Sequence, residues 1–287
     1  MCKLSFAVVA AALMLATPAI AANADRITVA VRGAGQDVIL IPGLVSSGAV
    51  WDGIAATLET THRLHIAQVA GFADAPLQGN KDGAVIAPTV EELHDYIVSH
   101  HLNSPAVIGH SLGGLMGMML AARHPKDVGK LMVVDSLPFF GVLMGAQDAA
   151  AVEPQAAKLR DGLIAAPADG YAKKEESVIA TLVKSPEGRT KALAWALASD
   201  RSVAARAMYD DITTDFRGEL PKITQPVAVL YAWDATTPFP QAAVDGLYQT
   251  SYAPLPNKTL KRIDGSYHFI MLDQPAAFAS EVEAFLK

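Results

Sequence analysis

The sequence predicts an α/β protein: a mostly parallel, doubly wound sheet carrying an inserted helical segment. Three observations carry this. Short apolar runs with strand character alternate with helix-forming stretches over 25–136 and again over 225–287, the order expected of parallel strands joined by right-handed crossovers. A glycine-flanked serine, Ser111, stands between one such run and one such stretch. Between the two blocks, residues 137–224 are alanine-rich and amphipathic with no strand pattern. The boundaries that follow are a core of 25–136 and 225–287 and a helical insertion of 137–224.

With 287 residues, 51% of them hydrophobic, the chain can bury one large core. A formal charge of −6 and no basic patch argue against a nucleic-acid partner. The first 24 residues stand apart. Met1-Cys2-Lys3 is a short positive start, Leu4 to Ala16 is apolar, and Ala19-Ile20-Ala21 and Ala22-Asn23-Ala24 both offer small-x-small cleavage sites. This pattern predicts a signal peptide over 1–24 and an exported, periplasmic or secreted protein. Thr17-Pro18 breaks the apolar run short of the roughly 20 residues a membrane span needs, so no stable membrane insertion is expected after cleavage. Cys2, the single cysteine, would leave with the peptide, taking away any disulfide, thiol nucleophile or cysteine metal ligand.

Taken in order, Arg26 to Arg32 alternates apolar and polar residues, as a half-exposed first strand does, and Asp37-Val38-Ile39-Leu40-Ile41 is a buried central strand ending at Pro42-Gly43-Leu44. Val50-Trp51 opens a helix, with Trp51 read as core, and Arg63 to Val69 is the next strand. Thr89 followed by Glu92 looks like a helix start capped by the threonine. That helix runs to His100-His101. Adjacent helical side chains point about 100° apart and cannot share a metal; His94, His100 and His101 are read as surface residues. No H-E-x-x-H spacing occurs, and no metal or cofactor is expected.

Gly109-His110-Ser111-Leu112-Gly113 fits G-x-S-x-G, a turn that lifts a serine out of the chain between strand and helix. Ser104 to Ile108 supplies the strand, and Leu112 to Arg123, rich in Leu, Met and Ala, supplies the helix. His124-Pro125 ends it. Lys130 to Ser136 is another strand. The insertion then brings a strongly apolar segment, Leu137 to Met144, and helices expected near 146–163, 171–183, 188–199 and 201–211. Gln225 to Ala232 returns to the sheet and leads into Trp233-Asp234, and a last strand over 258–263 precedes Tyr267-His268-Phe269.

Together these words resemble the α/β-hydrolase family over nearly the whole chain beyond residue 24. The resemblance implies an α/β-hydrolase fold whose residues 137–224 form the cap over the active site. It further implies a triad in the chain order Ser111, Asp234, His268, with Ser111 as nucleophile and His268 as base. Asp234 follows the strand that normally carries the acid, and Asp135, at the end of the 130–136 strand, is the competing position. The family's His-Gly after the central strand is Pro42-Gly43 here, so the oxyanion hole is assigned to the backbone N–H groups of Leu44 and Leu112. A serine activated in this way cleaves esters through an acyl-enzyme. The expected substrate is a small to medium carboxylic ester with an apolar acyl group. An amidase, aminopeptidase, lactonase or acyltransferase on the same triad remains open at this stage, as does a non-catalytic ligand-binding member of the fold.

Overall fold

A computed structural model describes residues 25–287; the predicted signal peptide lies outside the described residues. Seven strands form one sheet: β1 (Ile27–Gly33), β2 (Gln36–Ile41), β3 (His62–Val69), β4 (Ala106–His110), β5 (Lys130–Val134), β6 (Val227–Trp233) and β7 (Lys258–Asp264), in the spatial order β1-β3-β2-β4-β5-β6-β7. Only β1 runs antiparallel, pairing Ile27 with Val69 and Gly33 with Arg63. The other pairs are parallel, so the carboxyl ends of β2, β4, β5, β6 and β7 open at one edge.

Helices α1 (Asp52–Leu58), α2 (Ile86–Ser99) and α3 (Leu112–Arg123) lie in the first half of the chain. The insertion carries α4 (Ala149–Ala165), α5 (Ala168–Leu182), α6 (Pro186–Ala198) and α7 (Arg201–Thr213). Helices α8 (Gln241–Ser251), α9 (Ile270–Asp273) and α10 (Pro275–Leu286) complete the fold.

The two-residue period of a strand sends successive side chains to opposite faces, and each face has its own core. Ile39, Ile41, Val107, Leu131, Val133, Val227 and Val229 pack with α2 and α3. Val38, Leu40, Ile108, Met132, Val134 and Leu230 pack with α1 and α10, around Trp51 and Phe278. Burial on both faces explains why these strands read as unbroken apolar runs. Truncating one of them, as in Ile39→Ala, removes about 2–5 kcal/mol.

The insertion is all-helical between β5 and β6, and its four helices fall within a few residues of the predicted ones. Phe139 packs with Val152, Ala156 and Ile212 in a small core of its own. The insertion also enters the main cores: Val203 and Ala207 join one face of the sheet and Ile179, Val183 and Ala192 the other.

Helix α2 begins at Ile86, three residues before the capping threonine predicted from sequence. Its first N–H groups are satisfied by a distant residue: Asp210 of α7 accepts from Val85 N at 2.7 Å and Ile86 N at 3.2 Å. Thr89 lies inside the first turn and donates to Val85 O. Orphan donors at a helix start need an acceptor, and here the insertion provides it. Among the described residues no helix is long and apolar enough to cross a membrane.

Candidate active site

Ser111 stands at the carboxyl end of β4 with φ 54° and ψ −123°, a conformation that costs an L-residue on the order of 1–3 kcal/mol. The flanking glycines make it possible. A Cβ at Gly109 would stand 2.1 Å from Gly113 O, and one at Gly113 would stand 2.2 Å from Ile41 O. Only glycine permits both approaches. The backbone is pinned by Ser111 N donating to Val134 O of the neighbouring strand at 2.9 Å. Helix α3 starts at the next residue, so its positive end points at the serine.

The loop after β2 runs beside the serine: a Cβ at Gly43 would lie 3.0 Å from Ser111 Cβ. Leu44 thus follows a glycine that lies beside the serine, and Leu112 opens α3 with no preceding helical turn to receive its N–H. Among the described residues, neither N–H has a hydrogen-bond partner. Two free donors flanking a serine suit an oxygen that gains negative charge.

His268 lies in the loop after β7, and its Nδ1 donates to Asp135 Oδ2 at 2.7 Å. Asp135, directly after β5, has φ 47° and its amide donates to Leu230 O. Its other oxygen accepts from Tyr248 Oη at 2.9 Å and Ala232 N at 2.8 Å. Burial, the charge of Asp135 and the neighbouring tyrosines hold the Tyr248 hydroxyl far above its ordinary range, so it is a permanent donor. Three donors on two oxygens fix the position of the carboxylate.

Asp234, expected from sequence to orient His268, does not. It is 4% exposed, its Oδ2 accepts from Lys184 Nζ at 2.6 Å, and its Oδ1 accepts from Thr236 N and Oγ1. The hydrogen bond from Lys184, then those from Thr236, hold its carboxyl down at about 2. Lys184 belongs to the α5–α6 connection, so the pair joins insertion to core. Its backbone N–H also donates to Asp273. The correction has a physical cause: both aspartates end adjacent parallel strands, and the choice between them depends on which one the loop at 265–269 faces.

Two contributors escaped the sequence reading. His110, inside the elbow motif, is fully buried between the rings of His268 and Phe269, with both ring centroids 4.7 Å away. Burial first, and the nearby His268 second, hold it well below the ordinary histidine range, so it is neutral. Its Nε2 donates to His268 O at 3.1 Å. Asp211 on α7 lies within electrostatic reach of His268; burial pushes its carboxyl up to about 7, with His268 opposing and Asp210 reinforcing the shift. A buried histidine inside G-x-S-x-G was the one available signal for the first; nothing local marks the second.

A doubly wound sheet of this order, with a serine elbow at its carboxyl edge and helices inserted after β5, defines the α/β-hydrolase fold. Residues 38–281 match the Alpha/beta hydrolase family, and the chain belongs to that family. Among curated relatives, a pimeloyl-[acyl-carrier protein] methyl ester esterase of Vibrio cholerae is 28% identical over 264 residues, 89% of this chain and 93% of that one. The enzyme of the same name from Aeromonas hydrophila is 34% identical over 108 residues, 38% of this chain and 41% of its own length. Among solved structures, a thermophilic esterase from Thermogutta terrifontis superposes with a TM-score of 0.75 at 17% identity, covering 91% of this chain and 92% of that one.

Proposed function

We propose that the protein is a serine hydrolase that cleaves small to medium carboxylic esters with an apolar acyl group. Ser111 is the nucleophile, His268 the general base, and Asp135 the carboxylate that orients it. The observation that carries this reading is the 2.7 Å contact of His268 Nδ1 with Asp135, at the sheet edge where the strained Ser111 stands. With Nδ1 donating to a carboxylate, the His268 Nε2 lone pair is free to take the serine proton.

Ser111 Oγ attacks the ester carbonyl as its proton passes to His268 Nε2. The N–H groups of Leu44 and Leu112 receive the oxyanion, each such donor lowering the barrier by about 3–4 kcal/mol. The tetrahedral intermediate collapses, the alcohol leaves with the His268 proton, and the acyl group stays on Ser111. His268 then takes a proton from water as the water attacks the acyl-enzyme, and returns it to Ser111 Oγ as the acyl–oxygen bond breaks and the acid leaves. Asp135 accepts from Nδ1 throughout and stabilises the imidazolium.

The relatives named as methyl ester esterases support an ester with a small alcohol. Each CH₂ of an acyl chain buried under the cap adds about 0.8 kcal/mol. Export rests on the signal-peptide pattern of residues 1–24. The test is hydrolysis of p-nitrophenyl esters of increasing acyl length by the mature chain and by Ser111→Ala. The wild type should turn over with an optimum in chain length, and Ser111→Ala should fall below a few per cent of it. A fluorophosphonate probe should label Ser111 and nothing else; an active Ser111→Ala variant would sink the proposal.

A further inference from the structure

Strand β2 lies between β3 and β4, with Leu40 paired to Ile66 and Ile41 to Gly109. The loop that leaves β2 is therefore flanked by Gln68 at the end of β3 and by Ser111 at the end of β4. Gly43 to Ser46 form a tight turn closed by Ser46 N donating to Gly43 O at 3.2 Å, which leaves the Leu44 N–H outside the turn's own hydrogen bond. Val45 holds the third position of that turn with φ 50°. A left-handed φ there suits glycine or asparagine, and a β-branched side chain is strained by it. Such a conformation persists only where neighbouring groups over-determine it.

Gln68, the penultimate residue of β3, supplies that hold with one side chain. Its Oε1 accepts from Gly48 N at 2.8 Å, and Gly48 opens a single helical turn over Gly48–Trp51 whose first N–H groups have no helical carbonyl before them. Its Nε2 faces three carbonyls: Phe72 O at 3.1 Å, Val69 O at 3.3 Å and Ser46 O at 3.4 Å. One amide thereby joins Ser46 and Gly48, on the far side of the Leu44 turn, to the turn that follows β3. Only an amide does both, since it carries an acceptor and two donors. Ser199 of the insertion also approaches the Leu44 turn. Its hydroxyl proton has a nearer acceptor in Trp195 O, at 2.9 Å against 3.4 Å for Val45 O, so Gln68 is the stronger hold.

We infer that Gln68 is a positioning residue for ester cleavage: it fixes the turn that carries Leu44, so that the Leu44 N–H is aimed before negative charge forms on the substrate oxygen. This role rests on the ester-hydrolase reading. A donor to an oxyanion is effective when its place is set before the charge appears. A loose turn loses that advantage in the transition state while leaving the ground-state ester bound as before. The hydrogen bonds of Gln68 go to the backbone of the two turns and to no member of the triad, so it acts through the main chain of residues 44–48.

The test is Gln68→Met in the mature chain, which keeps the length and removes every one of these hydrogen bonds, with kcat expressed per serine titrated by fluorophosphonate. That kcat should fall about 10–100-fold, the scale of a small misplacement of a catalytic group, with KM within about threefold. A trifluoromethyl ketone forms an adduct with Ser111 that carries an oxyanion, and its affinity should fall by the same factor. The methyl ketone of the same chain, bound without an adduct, should keep its affinity. The acid limb of kcat/KM, set by His268, should not move. Ser199→Ala should lose less than Gln68→Met. Gln68→Asn, which keeps the amide but draws it back by one CH₂, should give the same split with a smaller factor, and replaces the methionine variant if melts show that it unfolds. Unchanged kcat, equal weakening of both ketones, a shifted acid limb or a larger loss in Ser199→Ala overturns the role. An active Ser111→Ala variant refutes the hydrolase reading itself, whereas a serine-dependent enzyme whose Gln68 variants keep kcat refutes this role alone.

Discussion

His110 Nε2 donates to the backbone carbonyl of His268 at 3.1 Å, so the residue before the elbow serine holds the loop that carries His268. The serine turn and the His268 loop are separated by more than 150 residues of chain, and this bond ties one to the other. A neutral, buried histidine is needed, because only the neutral ring can hold Nε2–H toward the loop with Nδ1 as a bare lone pair against Gly43. His110→Leu should therefore lower kcat by about 10–100-fold while leaving KM within about threefold, the scale of a small misplacement of a catalytic group. Steady-state kinetics with covalent titration of active serines checks it; unchanged kcat would make His110 a packing residue only.

The acid is decided by comparing Asp135→Asn with Asp234→Asn. The first removes the carboxylate that fixes the His268 tautomer and should cost about 10⁴ in kcat. The second leaves His268 untouched and should cost less than about tenfold. Equal losses, or the reverse order, would return the acid to the end of β6.

The Lys184–Asp234 pair belongs to stability at low pH. A carboxyl at about 2 in the folded chain and near 4 unfolded contributes stability that is complete above about pH 4 and lost as pH falls toward 2. In Lys184→Met that contribution shrinks, so the variant should unfold at higher pH than wild type on acid titration. Circular dichroism from pH 5 to 2 measures the difference, and coincident curves would contradict it.

Asp211 works in the opposite direction. Its carboxyl, pushed up to about 7, binds a proton in the folded chain that the unfolded chain has already released, so it costs stability as pH rises from about 4 to 7. Asp211→Asn should be neutral at pH 4 and stabilising at pH 8 by about 1 kcal/mol, or 2–4 °C in Tm. Thermal melts at the two pH values decide it.

Phe139 and Phe140 are adjacent yet differ in exposure: 1% for the first and 38% for the second. Phe139→Ala should destabilise by about 3–5 kcal/mol. Phe140→Ala should leave Tm within about 2 °C, as a surface change does. If Phe140 contacts the acyl chain, the same variant moves the chain-length optimum, which the p-nitrophenyl ester series reads directly.

The positions of the strands and the serine turn were legible because they rest on local rules. Apolar runs buried on both faces and a glycine-bracketed serine need no knowledge of distant residues. Thr89 failed as a cap because the acceptor for the start of α2 is Asp210, more than 120 residues away. Asp234 failed for a related reason. Its strand end matches that of Asp135, and only Lys184 from the insertion and the loop carrying His268 separate their roles. His94 read as a surface residue because the ring it stacks on, His124, follows the end of another helix, beyond the reach of any spacing rule.

The helices between β5 and β6 contribute side chains to the interior on both faces of the sheet, through Val203 and Ala207 on one side and Ile179 and Val183 on the other. They also make the passage from the carboxyl end of β5 back to the start of β6, a crossover that parallel neighbours require. The insertion is thus a beam of the frame rather than a hinged door: it cannot be excised or swung aside as a unit without opening the cores on which the sheet depends. Changes of specificity in this chain have to come through side chains facing the serine, with the surrounding architecture held fixed.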